Sequence, residues 1–363
     1  MKIALVGRFG ESDVLSGPER VARELLSELK NKNIQVVFIE YFFDDYRDSS
    51  FFHKVFGKRI FEDHSLMRLG ILTFIITLLK NRYNIIHIVN GQRFLLFLLL
   101  LNRIIPGKII TTFHGSIKNE QSKSINKSKR QFVDVWVEKL SVTKSDMLIF
   151  PSILLQKIFN EYYRLKKKNF QIIPNGVNET FRTPVVKKLD LGNSFKVVFY
   201  NGPENSFDRG LKNLVHLLSK VDGGIELFVL GRSEEINIRN KNINISFNQL
   251  LSHEDLINFL SDKHFVIKSN YFDSFSIFIA ECMCLGVIPI INNNIGICEL
   301  IEDKSNGFIY SGYSAEELKD LFNEISEEKY NLDIMSSNAK KVFEKINWQR
   351  VTEHYIDAYK SAL

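Results

Sequence analysis

The stretch Tyr271-Phe-Asp-Ser-Phe-Ser-Ile-Phe-Ile-Ala-Glu-Cys-Met-Cys-Leu-Gly-Val-Ile-Pro-Ile290 decides the fold. Ser274 and Ser276 stand where they can cap a helix, and the apolar residues that follow predict that helix. Gly286 and Pro289 then turn the chain into a strand over Ile288–Ile291. A helix followed at once by a short apolar strand is the repeating unit of a parallel α/β sheet. Two carboxylates interrupt the apolar run. Asp273 stands just before the helix, and Glu281 lies within it among Ile277, Ile279, Ala280 and Met283. A carboxylate in such company is costly unless it has a partner. Read alone, the stretch is either a capped core helix with one carboxylate in a salt bridge, or a ligand site whose helix N-terminus seats a diphosphate.

Outward from this stretch the same alternation continues. In the first half the spacing predicts strands at Lys2–Val6, Gln35–Glu40, Ile85–Val89, Lys108–Phe113, Met147–Pro151 and Phe170–Ile173, with an amphipathic helix at Glu19–Lys30. Residues 172–184 are rich in turn formers and read as a domain junction. A second series follows at Lys196–Tyr200, Glu226–Leu230, Ile243–Ser246, Phe265–Lys268, Ile288–Ile291 and Gly307–Ile309. The fold class is therefore α/β, two doubly wound Rossmann-like domains over 1–180 and 181–345. Such domains bind ligands at the carboxyl ends of their strands, and two facing each other would hold one in the cleft between.

Composition narrows the functional classes. The 363 residues, 45% hydrophobic and 25% charged, are those of a globular chain that fills two domains. Three cysteines build no disulfide framework, which implies a reducing, cytoplasmic setting. The longest apolar runs, Leu69–Leu79 and Phe94–Leu101, fall short of the roughly 20 residues that cross a bilayer, and no signal peptide is expected. Leu66–Leu79 reads as a buried helix. Residues 1–180 carry 28 lysines and arginines against 17 acids, and the remainder 20 against 25. The basic half suits an anionic substrate or membrane surface; no nucleic-acid motif accompanies it. Lys118–Arg130 is polar and basic, either a solvated loop or a contact with anionic lipid.

Walker loops, His-Glu-x-x-His and Asp-x-Asp are all absent from the sequence, and Gly7-Arg-Phe-Gly10 lacks the rest of a dinucleotide fingerprint. Cys282, Cys284 and Cys298 read as buried thiols before they read as zinc ligands. No metal site and no cofactor are expected.

Asp273-x7-Glu281 followed by Gly286-Val-Ile-Pro289 resembles the mark of glycosyltransferase family 4, retaining transferases of the GT-B fold, in which the first carboxylate is usually Glu. The likeness runs along nearly the whole chain: Ser16-Gly17 before a helix, Thr111-Thr-Phe-His-Gly115, Ile173-Pro-Asn-Gly-Val177, Gly296-Ile-Cys-Glu299 and Asn306-Gly-Phe308. Trp348 and a last helix over Val351–Leu363 resemble the segment that crosses back, which would assign 346–363 to the first domain. The resemblance implies an acceptor-binding first domain and a nucleotide-sugar-binding second one. It gives Glu281 to the donor ribose, Asp273 to the donor sugar, and the N–H groups of Phe275, Ser276 and Ile277, beside Ser274, to the diphosphate. It gives His114 to the sugar near the reacting carbon, against the plainer reading of a histidine that caps a strand. Gly17 would let its loop approach the diphosphate, and Leu251 lies where the base is gripped.

Two departures mark this chain. The family usually has Arg where Pro203 stands and Lys six residues later, where Arg209 precedes Gly210; Lys212 or Arg232 would have to supply the second cation. The implied activity is metal-independent, retaining hexosyl transfer from a nucleoside-diphosphate sugar to a hydroxyl of a glycan or lipid-linked acceptor. The expected setting is bacterial cell-surface polysaccharide synthesis, in the cytoplasm or peripheral at the inner membrane face. The departures leave open a degenerate partner or chaperone subunit, and, with a poorer fit, a nucleotide-sugar epimerase.

Overall fold

The computed structural model describes residues 1–10, 16–42, 50–61, 65–90, 104–123, 129–182, 189, 191–192, 194–203, 209–233, 236, 242–269, 271–311 and 314–363, with the backbone alone for 121–123 and 129–131. The chain divides into two compact units, residues 1–176 with 348–363, and residues 177–347. The crossings lie near the expected 181 and 346. Inside the second unit they are tied together: the Val177 N–H donates to the Ile346 carbonyl at 2.8 Å, and Val177 bridges Asn347.

The first unit contains β1 (Lys2–Gly7), α1 (Gly17–Asn31), β2 (Gln35–Tyr41), α2 (Phe51–Phe56), β3 (Lys58–Ile60), β4 (Leu66–Leu69), α3 (Ile71–Asn81), β5 (Ile85–Ile88), β6 (Lys108–Thr112), α4 (Ile117–Lys123), α5 (Lys129–Lys144), β7 (Met147–Phe150), α6 (Ile153–Tyr163) and β8 (Asn169–Ile172). Its sheet runs β3-β4-β2-β1-β5-β6-β7-β8, parallel except for β3. Strands such as Ile85–Ile88 and Met147–Phe150 are buried throughout, as continuous apolar runs must be when helices cover both faces.

The second unit contains β9 (Ser194–Gly202), α7 (Leu211–Leu218), β10 (Gly224–Gly231), β11 (Ile243–Asn248), α8 (His253–Leu260), β12 (Phe265–Lys268), α9 (Ile277–Cys284), β13 (Ile288–Asn292), β14 (Phe308–Tyr310), α10 (Ala315–Ser326), α11 (Leu332–Lys340) and α12 (Phe343–Ile346). Its parallel sheet runs β11-β10-β9-β12-β13-β14, the doubly wound order, so the winding reverses between β9 and β12. The last helix, α13 (Trp348–Ala362), belongs to the first unit.

One expectation needs correction. Leu66–Leu79 is not one buried helix. Leu66–Leu69 pairs with Phe38–Tyr41 as a strand, Gly70 caps the following helix, and that helix leaves part of its apolar surface exposed. The antiparallel edge β3 was not foreseen, because three residues are too few for a periodic signal. The run Phe94–Leu101 and residues 124–128 of the basic segment lie outside the described residues.

A buried polar contact fixes α13 on the first sheet. His87, in β5, meets the Tyr359 hydroxyl with Nδ1 and the Thr112 hydroxyl with Nε2, both at 2.8 Å. Burial, assisted by His114, pulls the His87 pKa from 6.5 down to about 3, so the ring stays neutral in the fold. Between these values the unfolded chain takes up a proton that the native chain does not, so stability is lost as pH falls through that window. Denaturant unfolding from pH 7 to pH 4 should show a slope approaching about 1.4 kcal/mol per pH unit from this one group. His87→Gln should remove that part of the slope; an unchanged slope would mean that His87 is not the titrating group.

Candidate active site

The switch point of the second unit lies at the carboxyl ends of β9 and β12, and β12 ends on a lysine. Lys268 is 7% exposed, closing a strand that is otherwise Phe-Val-Ile. Its ammonium reaches Asp273 Oδ2 at 2.5 Å and donates to Ser276 Oγ at 3.0 Å. The other Asp273 oxygen accepts the Phe275 N–H at 3.0 Å, a local turn that a short carboxylate makes readily. The loop after β13 holds this turn from the far side. Asp273 N–H donates to the Asn294 carbonyl, Gly296 N–H to the Asp273 carbonyl and Ile297 N–H to the Phe275 carbonyl.

Arg209 completes the cluster. Its guanidinium lies over the Tyr200 ring at 5.1 Å, and Tyr200 stacks on Phe278 of α9 with centroids 5.0 Å apart. This aromatic layer carries Arg209 toward the start of α9, close enough to act on both Lys268 and Asp273. Burial pushes the Asp273 carboxyl up, but Lys268, the Phe275 N–H and Arg209 together hold it below the usual carboxylate range. Burial lowers the Lys268 ammonium; Asp273 opposes this and Arg209 adds to it. Two cations thus share one carboxylate. Two buried polar atoms beside them, Arg209 Nε and Ser269 Oγ, have no hydrogen-bond partner. Ser276 is the N-cap residue of α9 at φ 80°, a left-handed conformation that costs a non-glycine residue energy, and its side chain does not cap the helix. The surplus cation, the idle donors and the helix N-terminus together fit an anion.

The structure brings together most of the residues foreseen in this unit and corrects several assignments. The Phe275 N–H is taken by Asp273, so it is not free for a diphosphate as it stands; Ser276 holds Lys268 and does not cap. Ser274 is half-buried in the same loop, and Ile277 is the first residue of α9. Glu281 is 1% exposed inside α9. Lys212 is exposed in the first turn of α7, and Arg232 follows β10, its carbonyl accepting from the Asn201 amide at 2.8 Å. Leu251 is half-buried against the core that α9 shares. Cys282 and Cys284 are buried thiols, with Cys284 pushed up by burial and by Glu281. Lys268 is the residue that sequence reasoning missed. Its signal was present: a lysine terminating an apolar strand at a sheet centre is out of place unless it has work at the strand end.

The first unit has a cavity of about 310 Å³ at its own switch point, between the ends of β1 and β5, lined by Arg8, Glu19, Asn90, His114, Glu120 and Glu138 among others. Asn90 pins the chain after β1, accepting the Arg8 N–H and donating to the Arg8 carbonyl. Gly7 allows this, since a Cβ there would meet Asn90 Oδ1 at 2.1 Å. The buried Glu40, paired with Arg68 at 3.2 Å, accepts the Phe9 and Gly10 N–H groups from below. Ser16 and Gly17 open α1, and Glu19 accepts from Ser16 and pairs with Arg8 at 3.1 Å. Gly17 is the first residue of α1. His114 follows β6 and donates from Nε2 to the Val89 carbonyl at 2.9 Å; burial pulls its pKa down to about 4, so it is neutral. Glu120 is raised by burial and by Glu138, and Glu138 is raised by burial against four hydrogen bonds.

Comparison with known proteins agrees with this architecture. The family description "Glycosyltransferase Family 4" matches residues 15–181, and "Glycosyl transferases group 1" matches residues 192–342. A search of curated proteins by sequence gave no match. Among solved structures, the sucrose-phosphate synthase (tll1590) from Thermosynechococcus elongatus aligns with a TM-score of 0.76 at 16% identity, covering 99% of this chain and 98% of that one. Anabaena Alr3699/HepE, solved in complex with UDP, aligns at 0.73 and 16%, covering 99% and 100%. The apo form of the lipopolysaccharide outer core galactosyltransferase WaaB aligns at 0.73 and 15%, covering 100% of both chains. The two matched domains, in this order and with the GT-B fold, place the chain in glycosyltransferase family 4, the glycosyl transferases group 1.

Proposed function

We propose that this glycosyltransferase moves a hexosyl group, with retention and without metal, from a nucleoside-diphosphate sugar to a hydroxyl of a glycan or lipid-linked acceptor. The observation that carries the reading is the convergence of Arg209 and Lys268 at the N-terminus of α9. A departing nucleoside diphosphate gains negative charge, and fixed cations with helix N–H groups stabilise it where it develops. Lys268 takes the part of the cation missing at Pro203. Asp273 keeps Lys268 charged and placed until the donor arrives. The HepE structures, solved with UDP and with UDP-glucose, support a uridine donor as the first to try.

We assign Glu281 to the ribose hydroxyls, Leu251 to the base, Ser276 and Ile277 to the phosphate oxygens, and neutral His114 to the transferring sugar. The acceptor oxygen attacks from the face that the diphosphate leaves, and a phosphate oxygen takes its proton. The cavity of the first unit, with three glutamates against Arg8, is suited to an acceptor end rich in hydroxyls, because carboxylates accept their hydrogen bonds. The charge surplus of that half therefore serves another purpose than gripping an anionic group in the cavity. A role in bacterial cell-surface polysaccharide assembly is the setting that such an acceptor and a basic domain suggest.

Binding of UDP and of a panel of nucleotide sugars tests the reading. At a hundredfold excess over Kd, the matching donor should stabilise the protein by about 2.7 kcal/mol. Glu281→Ala should weaken donor binding while the fold persists. Lys268→Met should weaken UDP about tenfold to hundredfold, the worth of a charge-assisted contact, and uridine much less. Because a lone Asp273 would be left buried, Lys268→Met is also made together with Asp273→Asn. Adding Pro203→Arg to that pair should restore much of the UDP affinity. No stabilisation by any donor, or UDP binding indifferent to Lys268, would overturn the reading in favour of a non-catalytic partner.

A further inference from the structure

Each of the two sheets has two edges, and three of these edges are guarded. The first sheet ends on β3, three residues long with Lys58 and Arg59 exposed, and on β8, four residues long behind the exposed Lys166 and Lys167. The second ends on β14, again three residues, and on β11. Short strands and edge cations keep an open ladder from pairing with another chain. Strand β11 has neither. It runs for six residues, Ile243-Asn-Ile-Ser-Phe-Asn248, without a charge.

The paired side of β11 fixes what the other side offers. The Ile225 N–H of β10 donates to the Asn242 carbonyl at 2.7 Å, and Ile225 pairs with Ile243 in parallel register. Backbone groups alternate along a strand, so Asn242, Asn244, Ser246 and Asn248 turn theirs to β10, and Ile243, Ile245 and Phe247 turn theirs outward. Among the described residues no strand pairs on that outer side. The side chains alternate too. Ile243 is buried and Ile245 half-buried against the core, and Phe247, on the same face, is 39% exposed. Asn244 and Ser246, on the opposite face, are exposed. An antiparallel pairing of β11 with itself, centred on Ile245, satisfies both alternations. It sets Ile245 against its own counterpart, Ile243 against the second copy's Phe247, and Asn244 against the second copy's Ser246. Outward N–H and C=O groups then exchange hydrogen bonds, and apolar side chains meet apolar ones. The nearest charged residues before the strand are Arg239 and Lys241, and the nearest after it Glu254 and Asp255. Antiparallel copies bring the start of one strand toward the end of the other, so unlike charges approach. A two-fold pairing of this kind uses both edges and closes on itself.

We propose that β11 joins this protein to a second copy of itself, edge to edge, in one continuous sheet. The inference stands apart from the donor site, and its test does not use sugar transfer. In sedimentation velocity the full chain should pass from monomer to dimer as its concentration rises to about 100 μM, the weak range that suits a small contact. Asn244→Lys with Ser246→Lys sets like charges opposite each other and should weaken the dimer about a hundredfold. These side chains are exposed, so thermal unfolding of that variant should be unchanged. Phe247→Pro removes an N–H that β10 does not use and should also weaken the dimer. The register has its own test. Asn244→Cys mixed with Ser246→Cys should give a disulfide-linked dimer on mild oxidation, because directly opposite residues of such a pair stand about 4.5 Å apart. Either cysteine variant alone should cross-link no more than the parent, which keeps Cys298. A chain that stays monomeric at about 100 μM would overturn the proposal. So would a dimer that the two lysines leave intact, or mixed cysteine variants that do not cross-link.

Discussion

Two cations and one carboxylate, a buried Lys268 with a half-buried Arg209 and Asp273, set the terms for everything around the switch point of the second unit. Arg209 and Lys268 repel each other in a medium that screens poorly, and Asp273 balances only one of them. An ion pair taken from water carries a desolvation cost that only good geometry repays. The geometry is supplied by neighbours: the Tyr200–Phe278 stack under Arg209, the Ser276 hydroxyl on Lys268, the Phe275 N–H on Asp273, and the loop after β13 that grips the whole turn. The left-handed backbone at Ser276 is part of the same arrangement. An incoming anion would offset the surplus positive charge.

Much of this was legible in the sequence, for a definite reason. Strands buried on both faces must be continuous apolar runs, and those from Lys2–Gly7 to Phe308–Tyr310 announced themselves within a residue or two at most ends. The order of helix and strand then gave the class of fold. The site was legible where a motif fixed it, at Asp273 and Arg209. It was not legible where side chains choose among partners. Nothing in the spacing says that Asp273 takes the Phe275 N–H, that Ser276 holds a lysine in place of capping, or that Lys268 stands close to Arg209. Leu66–Leu79 misled because periodicity cannot separate a four-residue edge strand from the helix behind Gly70, nor say which apolar side chains will face outward.

The first unit repeats the logic with different chemistry. Its switch point is also built by clamping the chain after its first strand, through Asn90, Glu40 and Arg68. Its cavity collects glutamates and a neutral histidine, where the second unit collects cations.

The most direct measurement is a crystal structure of the protein with UDP. The account predicts the β-phosphate within hydrogen-bonding distance of Arg209 and of Lys268 Nζ, with Ser269 Oγ or the first N–H groups of α9 completing the set. A diphosphate seated away from Lys268, with the lysine still committed to Asp273 alone, would contradict it.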